Sequence, residues 1–426
     1  MRPGEALALL NLTLPPLNGE RRRLAAAHTV AELRRIARRR LPRSVFDYVD
    51  GGANEEHSLR GNARAIREWQ FHPRALVDVT ETSTETTILG HPAAAPIGFA
   101  PTGYTRMISP LGEPAVAAAA GRCGLPYVLS TMATTALEDL AIAPGAADAD
   151  RWFQLYVWKD RRVTHELIRR AADTGYRVLE VAIDTAVSGM RVRDVRNGFT
   201  IPPQLTPGSV FDIGLKPNYW MGMLRSPALE FANVSGGTTG SDEPHGFTIE
   251  NISQQFDPAV TWDDIADIRE RWSGTLVLKG PLSPDDAVRA HELGVDGVHL
   301  SNHGGRQLDR TVAPIDLVAP VRAAVGEDFS VFVDSGFSHG DDIAVAIALG
   351  ADAVFVGRAY LWGLVAAGEA GVARVGSLLT TELRRAMQLL GVTSIEELRA
   401  HGASLVQRRA GSTAPITVTP RMGTAP

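Results

Sequence analysis

One cysteine, Cys123, occurs in 426 residues. That count excludes an internal disulfide framework and any metal centre built from several thiolates, and it fits a reducing compartment. Cys123 follows an alanine-rich run and precedes Gly124, the setting of a buried small residue rather than a reactive thiol. Long hydrophobic runs are missing as well. No apolar stretch reaches the roughly 18 to 20 residues that a membrane-spanning helix needs. The opening MRPGEALALLNLTLPPLNGERRRL has a short apolar stretch broken by proline, with only Arg2 ahead of it, so a secretory signal is not expected. Positive charge is not in excess: 43 Lys and Arg stand against 48 Asp and Glu, a net charge of −5. The whole molecule therefore has no electrostatic pull toward nucleic acid. No Gly-x-Gly-x-x-Gly turn follows the first apolar run, which argues against an open dinucleotide-binding sheet.

What is present is the balance of a globular protein with a substantial core, 44% hydrophobic and 21% charged residues. Between Glu20 and Arg43 there are nine arginines and two glutamates. A helix over about Thr29 to Arg40 with a solvated basic face accounts for them, and a membrane-surface or partner contact is the sharper alternative. The segment LPRSVFDYVDGGANEE reads as a second short helix ended by Gly51 and Gly52.

Eight apolar runs then alternate with helical patterns: APIGFAP, PYVLST, WFQLYV, YRVLEVAID, TLVLKG, GVHLSN, SVFVDSG and AVFVGR. Most of the intervening helices close on glycine. Buried strands alternating with helices imply parallel pairing through right-handed crossovers, and eight such units predict a closed (β/α)8 TIM barrel. The barrel core is expected at about 93–390, within a single domain spanning 1–426. The irregular stretch from Pro202 to Asp257 is expected to be a long active-site loop, and the tail after about Gly411 to be extended or mobile.

Ligands bind such barrels at the C-terminal ends of the strands. In chain order the eight runs end in Pro101, Thr102 and Gly103; Ser130 and Thr131; Gln154 with Tyr156; Asp184 and Thr185; Lys279 and Gly280; Ser301, Asn302 and His303; Asp334, Ser335 and Gly336; Gly357 and Arg358. Polar residues and glycines converge on one rim, as a large polar-edged ligand requires. Gly336 and Gly357 with Arg358 suit a phosphate, although each glycine alone also suits a tight turn. Lys279 closes an apolar strand. It either faces an electron-rich ring such as a reduced flavin or pairs with a barrel carboxylate, Asp184 or Asp334. His303 and Arg306 leave the sixth strand around two glycines. The imidazole suits proton abstraction near neutral pH, and the guanidinium suits a carboxylate. With Arg191, Tyr48 and Tyr156 they make a cavity for a small hydroxylated carboxylic acid. The nearby Arg193, Asp194 and Arg196 read as ordinary loop charges.

At these residues the chain resembles the FMN-dependent 2-hydroxy acid dehydrogenases and oxidases. Ser301-Asn302-His303-Gly304-Gly305-Arg306-Gln307 matches the family's active-site signature. FDYVDGGANEE, APTG, WFQLYVWKDR, DTAVSGMRVRDVRNGF, VLKG and FVGRAYLWGLVAAGEAGV extend the likeness from about Thr29 to Ser394. Within the family the chain looks most like the bacterial NAD-independent L-lactate dehydrogenases.

The resemblance implies FMN as cofactor and oxidation of an L-2-hydroxy acid, L-lactate above all, to the 2-oxo acid. The alternative is an FMN-dependent oxidase of another 2-hydroxy acid, or of a modified peptide or amine. It implies His303 as base, Asp184 as stabiliser of the imidazolium, and Tyr156 on the substrate oxygen. Arg191, Arg306 and Tyr48 would hold the carboxylate. Pro101, Thr102, Gly103, Ser130, Gln154, Lys279 and Ser301 would line the flavin ring and ribityl chain, with Asp334, Gly336, Gly357 and Arg358 at the ribityl and phosphate end. Oxygen, a quinone or a cytochrome would reoxidise the flavin, with no fused haem domain expected. A homotetramer is expected, cytoplasmic or peripheral at the inner face of the membrane.

Three positions depart from the family pattern. Ser338 stands where a phosphate arginine is usual, so Arg358, backbone amides or His339 must carry more of that charge. Ala182 removes one hydroxyl from the flavin site. Met132 replaces an aromatic beside the substrate.

Overall fold

In the computed structural model, which describes residues 18–199, 207–234 and 255–409, the eight apolar runs form one closed barrel of parallel strands. In chain order its strands are β1 (Ile97–Phe99), β2 (Tyr127–Ser130), β3 (Arg151–Tyr156), β4 (Val178–Ala182), β5 (Thr275–Gly280), β6 (Gly297–Leu300), β7 (Ser330–Val333) and β8 (Ala353–Val356). β8 pairs with β1 to close the ring. The strands are buried almost throughout, which is why they read as continuous apolar runs rather than alternating ones.

Side chains along a strand alternate between the barrel interior and the helical shell. Val128, Trp152, Val178, Val277, Phe332 and Phe355 pack together as an inner cluster. Two residues further along their strands come Ser130, Gln154, Glu180, Lys279, Asp334 and Gly357. The same period that fills the core with apolar groups therefore hands its last inward positions to polar ones. The opposite mouth is stopped by a hairpin, Thr86–Ile88 with His91–Ala93. Ile88 and Ala93 join the inner cluster, and Arg177 donates to the carbonyls of Ile88 and Leu89.

The basic helix spans Val30–Arg40, capped by the Thr29 side chain, which accepts from the Glu32 amide. It buries Val30, Leu33 and Ala37 against the long helix Arg358–Leu390, which is interrupted at Ala367 and Gly368. Arg34 pairs with Asp50 at 2.6 Å and Arg40 donates to the Val365 carbonyl at 3.0 Å; Arg35, Arg38 and Arg39 face solvent. Cys123 is half-buried, 3.7 Å from the Ala373 carbonyl, and burial pushes its thiol pKa up.

The stretch expected as a long loop is partly helical. It contains Pro207–Gly214 and Pro217–Leu224, and the Tyr219 hydroxyl anchors the second helix to the Met107 carbonyl at 2.9 Å. Loop composition hid these helices because tertiary contacts, not propensity, hold such short ones. Residues 202–206 and 235–254 of that stretch, and the tail after Gly411, lie outside the described residues.

Candidate active site

The loop after β6 is fixed from below and from the side. Ser301 Oγ accepts from Lys279 Nζ at 2.6 Å and from the His303 amide at 3.0 Å. His303 adopts a left-handed backbone, φ 58°, a conformation that surrounding contacts must enforce in a non-glycine residue. Gly52 and Gly305 cross at a separation no side chain tolerates: a Cβ on Gly52 would lie 2.7 Å from the Gly305 carbonyl oxygen, and one on Gly305 2.5 Å from the Leu59 nitrogen. The DGG and HGG turns singled out in the sequence are two sides of this one contact.

His303 Nδ1 lies 3.2 Å from Asp184 Oδ2 and 3.3 Å from Oδ1. Asp184 is fastened in turn, since Gln307 Nε2 donates to its backbone carbonyl at 2.7 Å. The carboxylate thus holds the proton on Nδ1 and leaves Nε2 free to accept one. Arg306 and Arg191 stand over the same ring, with guanidinium carbons 5.0 and 5.4 Å from the Tyr48 centroid. Arg306 is fastened by the carbonyls of Tyr48 at 2.6 Å and Gly51 at 3.2 Å. Burial and then Arg191 push its pKa below the ordinary value. Two partly buried cations facing one cavity constitute a site that an anion stabilises. Tyr156 is also buried there, and burial, followed by Asp184 and Tyr48, keeps its hydroxyl protonated far above the ordinary tyrosine range.

Arg193 and Asp194 are not ordinary loop charges. Arg193 bridges Asp50 at 3.0 Å and Glu56 at 2.6 Å, and Asp194 pairs with Arg191 at 3.2 Å. Arg193 ties the β4 loop to the N-terminal segment that carries Tyr48, while Asp194 holds Arg191 within that loop. Their partners are more than a hundred residues away in sequence for Arg193, and no local pattern marks them.

Lys279 resolves toward an ion pair: it meets Asp334 at 2.8 Å while both line the cavity. Arg358 donates to the carbonyls of Val49 at 2.7 Å, Gly51 at 2.8 Å and Gly304 at 2.9 Å. It secures the rim as well as lining it, and two of its five N–H groups remain for a ligand. His339 faces Glu382 at 3.5 Å and is not among the lining residues. Of the two side chains considered for the Ser338 deficit, Arg358 is the one at the cavity.

The cavity measures about 730 Å³ and runs from Arg191 and Arg306 past Lys279 to Gly336, Ser338 and Gly357. Pro101, Thr102, Gly103, Ser130, Gln154, Tyr48, Tyr156, His303, Asp334 and Arg358 line it; Asp184 and Ser301 support it from behind. The donor set fits FMN. Gln154 Nε2 is buried without a partner in the protein, a donor aimed at an acceptor such as a ring carbonyl, while its Oε1 is held by Ser130 at 3.0 Å. A Cβ at Gly357 would come no closer than 3.6 Å to Thr102, so the rim is open there to a phosphate.

The sequence reading passed over Glu180 and His299, which are fully buried and lie 2.7 Å apart inside the barrel. The available signal was a titratable residue at an inward position of each of two apolar strands, VLEVA and GVHL.

A polar-floored barrel with a histidine–carboxylate pair and a cation clamp has the chemistry of a flavin enzyme acting on a CH–OH group beside a carboxylate. The chain belongs to the FMN-dependent dehydrogenase family, whose model matches residues 37–405. A Mycobacterium tuberculosis relative, whose L-lactate dehydrogenase name is provisional, is 45% identical over 402 residues, 94% of each chain. The (S)-mandelate dehydrogenase of Pseudomonas putida is 39% identical over 369 residues, 87% of this chain and 92% of that one. A crystal structure of the monotopic membrane protein (S)-mandelate dehydrogenase superposes with a TM-score of 0.83 at 37% identity, covering 90% of this chain and 99% of that one. The protein is an FMN-dependent oxidoreductase of the 2-hydroxy acid dehydrogenase and oxidase group.

Proposed function

We propose that the protein oxidises L-lactate to pyruvate and accepts 2-hydroxy acids with larger apolar substituents. The observation that carries this reading is the convergence of Arg191, Arg306 and Tyr48 on the cavity that His303 also enters. The guanidinium groups hold the substrate carboxylate. Tyr156 keeps its proton and donates a hydrogen bond to the substrate oxygen, and His303 Nε2 takes a proton from the substrate, the resulting imidazolium being stabilised by Asp184 at Nδ1. FMN, which Gln154, Lys279 and Arg358 would hold in the cavity, would supply the two-electron acceptor for the hydrogen that leaves the substrate carbon. Only the third substituent on the reacting carbon is then free to vary. The cavity offers it Met132, Tyr104, Phe231 and Phe256, with Tyr104 packed at a tilt against Phe231 and Tyr156 against Phe256, ring centroids 4.8 Å apart in each pair. That aromatic wall supports groups larger than methyl.

The test is anaerobic bleaching of the flavin by L-lactate, a longer aliphatic 2-hydroxy acid and (S)-mandelate, followed by reoxidation with air or a quinone analogue. L-Lactate is expected to bleach it, and the larger acids also. If all three acids fail while a primary amine or an alcohol lacking the carboxylate succeeds, the substrate class is wrong.

The same reading includes peripheral membrane contact. No described helix is long and apolar enough to cross a membrane. Lys216 Nζ donates to the Arg39 carbonyl at 2.8 Å, so the basic helix adjoins the two helices after β4, where Phe211, Leu215 and Leu224 are exposed. Cations beside exposed apolar groups suit an anionic lipid face. The protein is expected to cosediment with phosphatidylglycerol vesicles at low salt and less with phosphatidylcholine. Equal absence from both pellets removes the membrane contact.

A further inference from the structure

Glu180 and His299 take no part in the chemistry above, yet the barrel interior holds both at 0% exposure. Burying ionisable groups costs several kcal/mol unless partners compensate, and the partners are specific. His299 Nδ1 lies 2.7 Å from Glu180 Oε2. Nε2 lies 3.4 Å from Asp334 Oδ2, the oxygen that Lys279 Nζ approaches to 2.8 Å. The second distance is that of an ion pair rather than an aligned hydrogen bond. Phe332 and Phe355 close around the imidazole, with ring centroids at 6.4 and 4.8 Å.

Both ring nitrogens therefore face carboxylate oxygens. A neutral imidazole would set a lone pair against one of them, whereas an imidazolium presents a proton to each. Burial pushes the ring pKa down, but Glu180 and Asp334 outweigh it and the value lies above the ordinary one. Burial pushes Asp334 up, and Lys279 and His299 hold it well below the ordinary carboxylate value. Charge then alternates along the chain Glu180, His299, Asp334, Lys279, and of the four only Asp334 and Lys279 line the cavity.

We propose that Glu180 and His299 are positioning residues that set the field beneath the flavin: the His299 imidazolium shares the charge of Asp334, so that Lys279 presents more uncompensated positive charge to the ring and raises its reduction potential. The inference rests on the FMN reading of the cavity. A ring that gains negative charge on reduction is stabilised by a nearby cation in a low-dielectric site. Asp334 shared between two cations offsets less of Lys279 than Asp334 paired with Lys279 alone. Glu180 holds the imidazole in place and keeps it charged.

The holoprotein tests this by its flavin midpoint potential and its affinity for sulfite, an anion that adds to the electron-poor ring. In His299→Gln, sulfite binding is expected to weaken about tenfold and the potential to fall by about 30 mV, the two-electron equivalent of a tenfold change. Glu180→Gln is expected to shift both readings in the same direction and by less, and Glu180→Gln/His299→Gln to show less than the sum of the single changes. FMN-loaded single variants with unaltered potential and sulfite affinity overturn the proposal and leave the cofactor reading standing. A native protein that takes up no FMN sinks the cofactor reading itself. The native holoprotein gives a reading that does not depend on variants folding. Ring-¹⁵N NMR of the FMN-loaded chain is expected to show one histidine still doubly protonated at a pH above the ordinary value of roughly 6.5. No such ring overturns the relay.

Discussion

Replacing His303 with glutamine is expected to leave FMN bound and to slow its reduction by substrate by about 10²- to 10⁴-fold, the usual loss when a general base is removed. Glutamine keeps the length and hydrogen-bonding reach of the side chain but accepts no proton at catalytic pH. The scaffold beneath is untouched, because the loop is held by its backbone: the residue 303 amide donates to Ser301 Oγ and the Gly304 amide to Ser335 Oγ, both at 3.0 Å. The side chains lining the proposed flavin bed come from other strands. Stopped-flow reduction under anaerobic conditions reads the rate, and the visible spectrum reads flavin content. A variant reduced at the native rate places the base elsewhere. Asp184→Asn is expected to follow the same direction with a smaller loss, since it removes the charge that stabilises the imidazolium and leaves the ring in place.

Arg306→Met is expected to raise KM and lower turnover together. A guanidinium gripping a carboxylate through two charge-assisted hydrogen bonds, at roughly 1.5 to 3 kcal/mol each, supports a loss of about 10²- to 10⁴-fold in kcat/KM. The fall is divided between the two constants because the clamp orients the hydroxyl as well as binding the acid. Arg306 also secures the Tyr48 and Gly51 carbonyls, so part of any loss could come from a displaced loop. A set of substrate analogues separates the two causes. If orientation through the carboxylate is the role, the variant loses discrimination between the acid and its amide; a variant that is impaired equally toward both has lost structure instead.

The barrel was legible in the sequence because parallel strands covered on both faces must be apolar along their whole length, and eight such runs punctuated by helices leave few other architectures. The rim was legible for a related reason. Strand ends are fixed by where apolarity stops, and His303, Asp184, Lys279 and Asp334 each fall just beyond that point or at it. The SNHGGRQ stretch added a local signature for the loop after β6.

Pairings between remote segments were not legible, and these decide the finer properties of the site. Arg193 looked like a loop charge until the β4 loop was brought against the N-terminal helices, where Asp50 and Glu56 receive it. Lys279 had two readings until closure of the barrel set Asp334 within 2.8 Å. Glu180 and His299 lie 119 positions apart, and each alone is an anomaly in an apolar strand. The sequence by itself determined the strands, the rim and the residue types at the reacting centre, because these follow from apolar periodicity and from groups adjacent along one chain. Tertiary structure alone decided which charges neutralise which, because in a buried site that outcome depends on distances of a few ångströms between strands that meet only when the barrel closes.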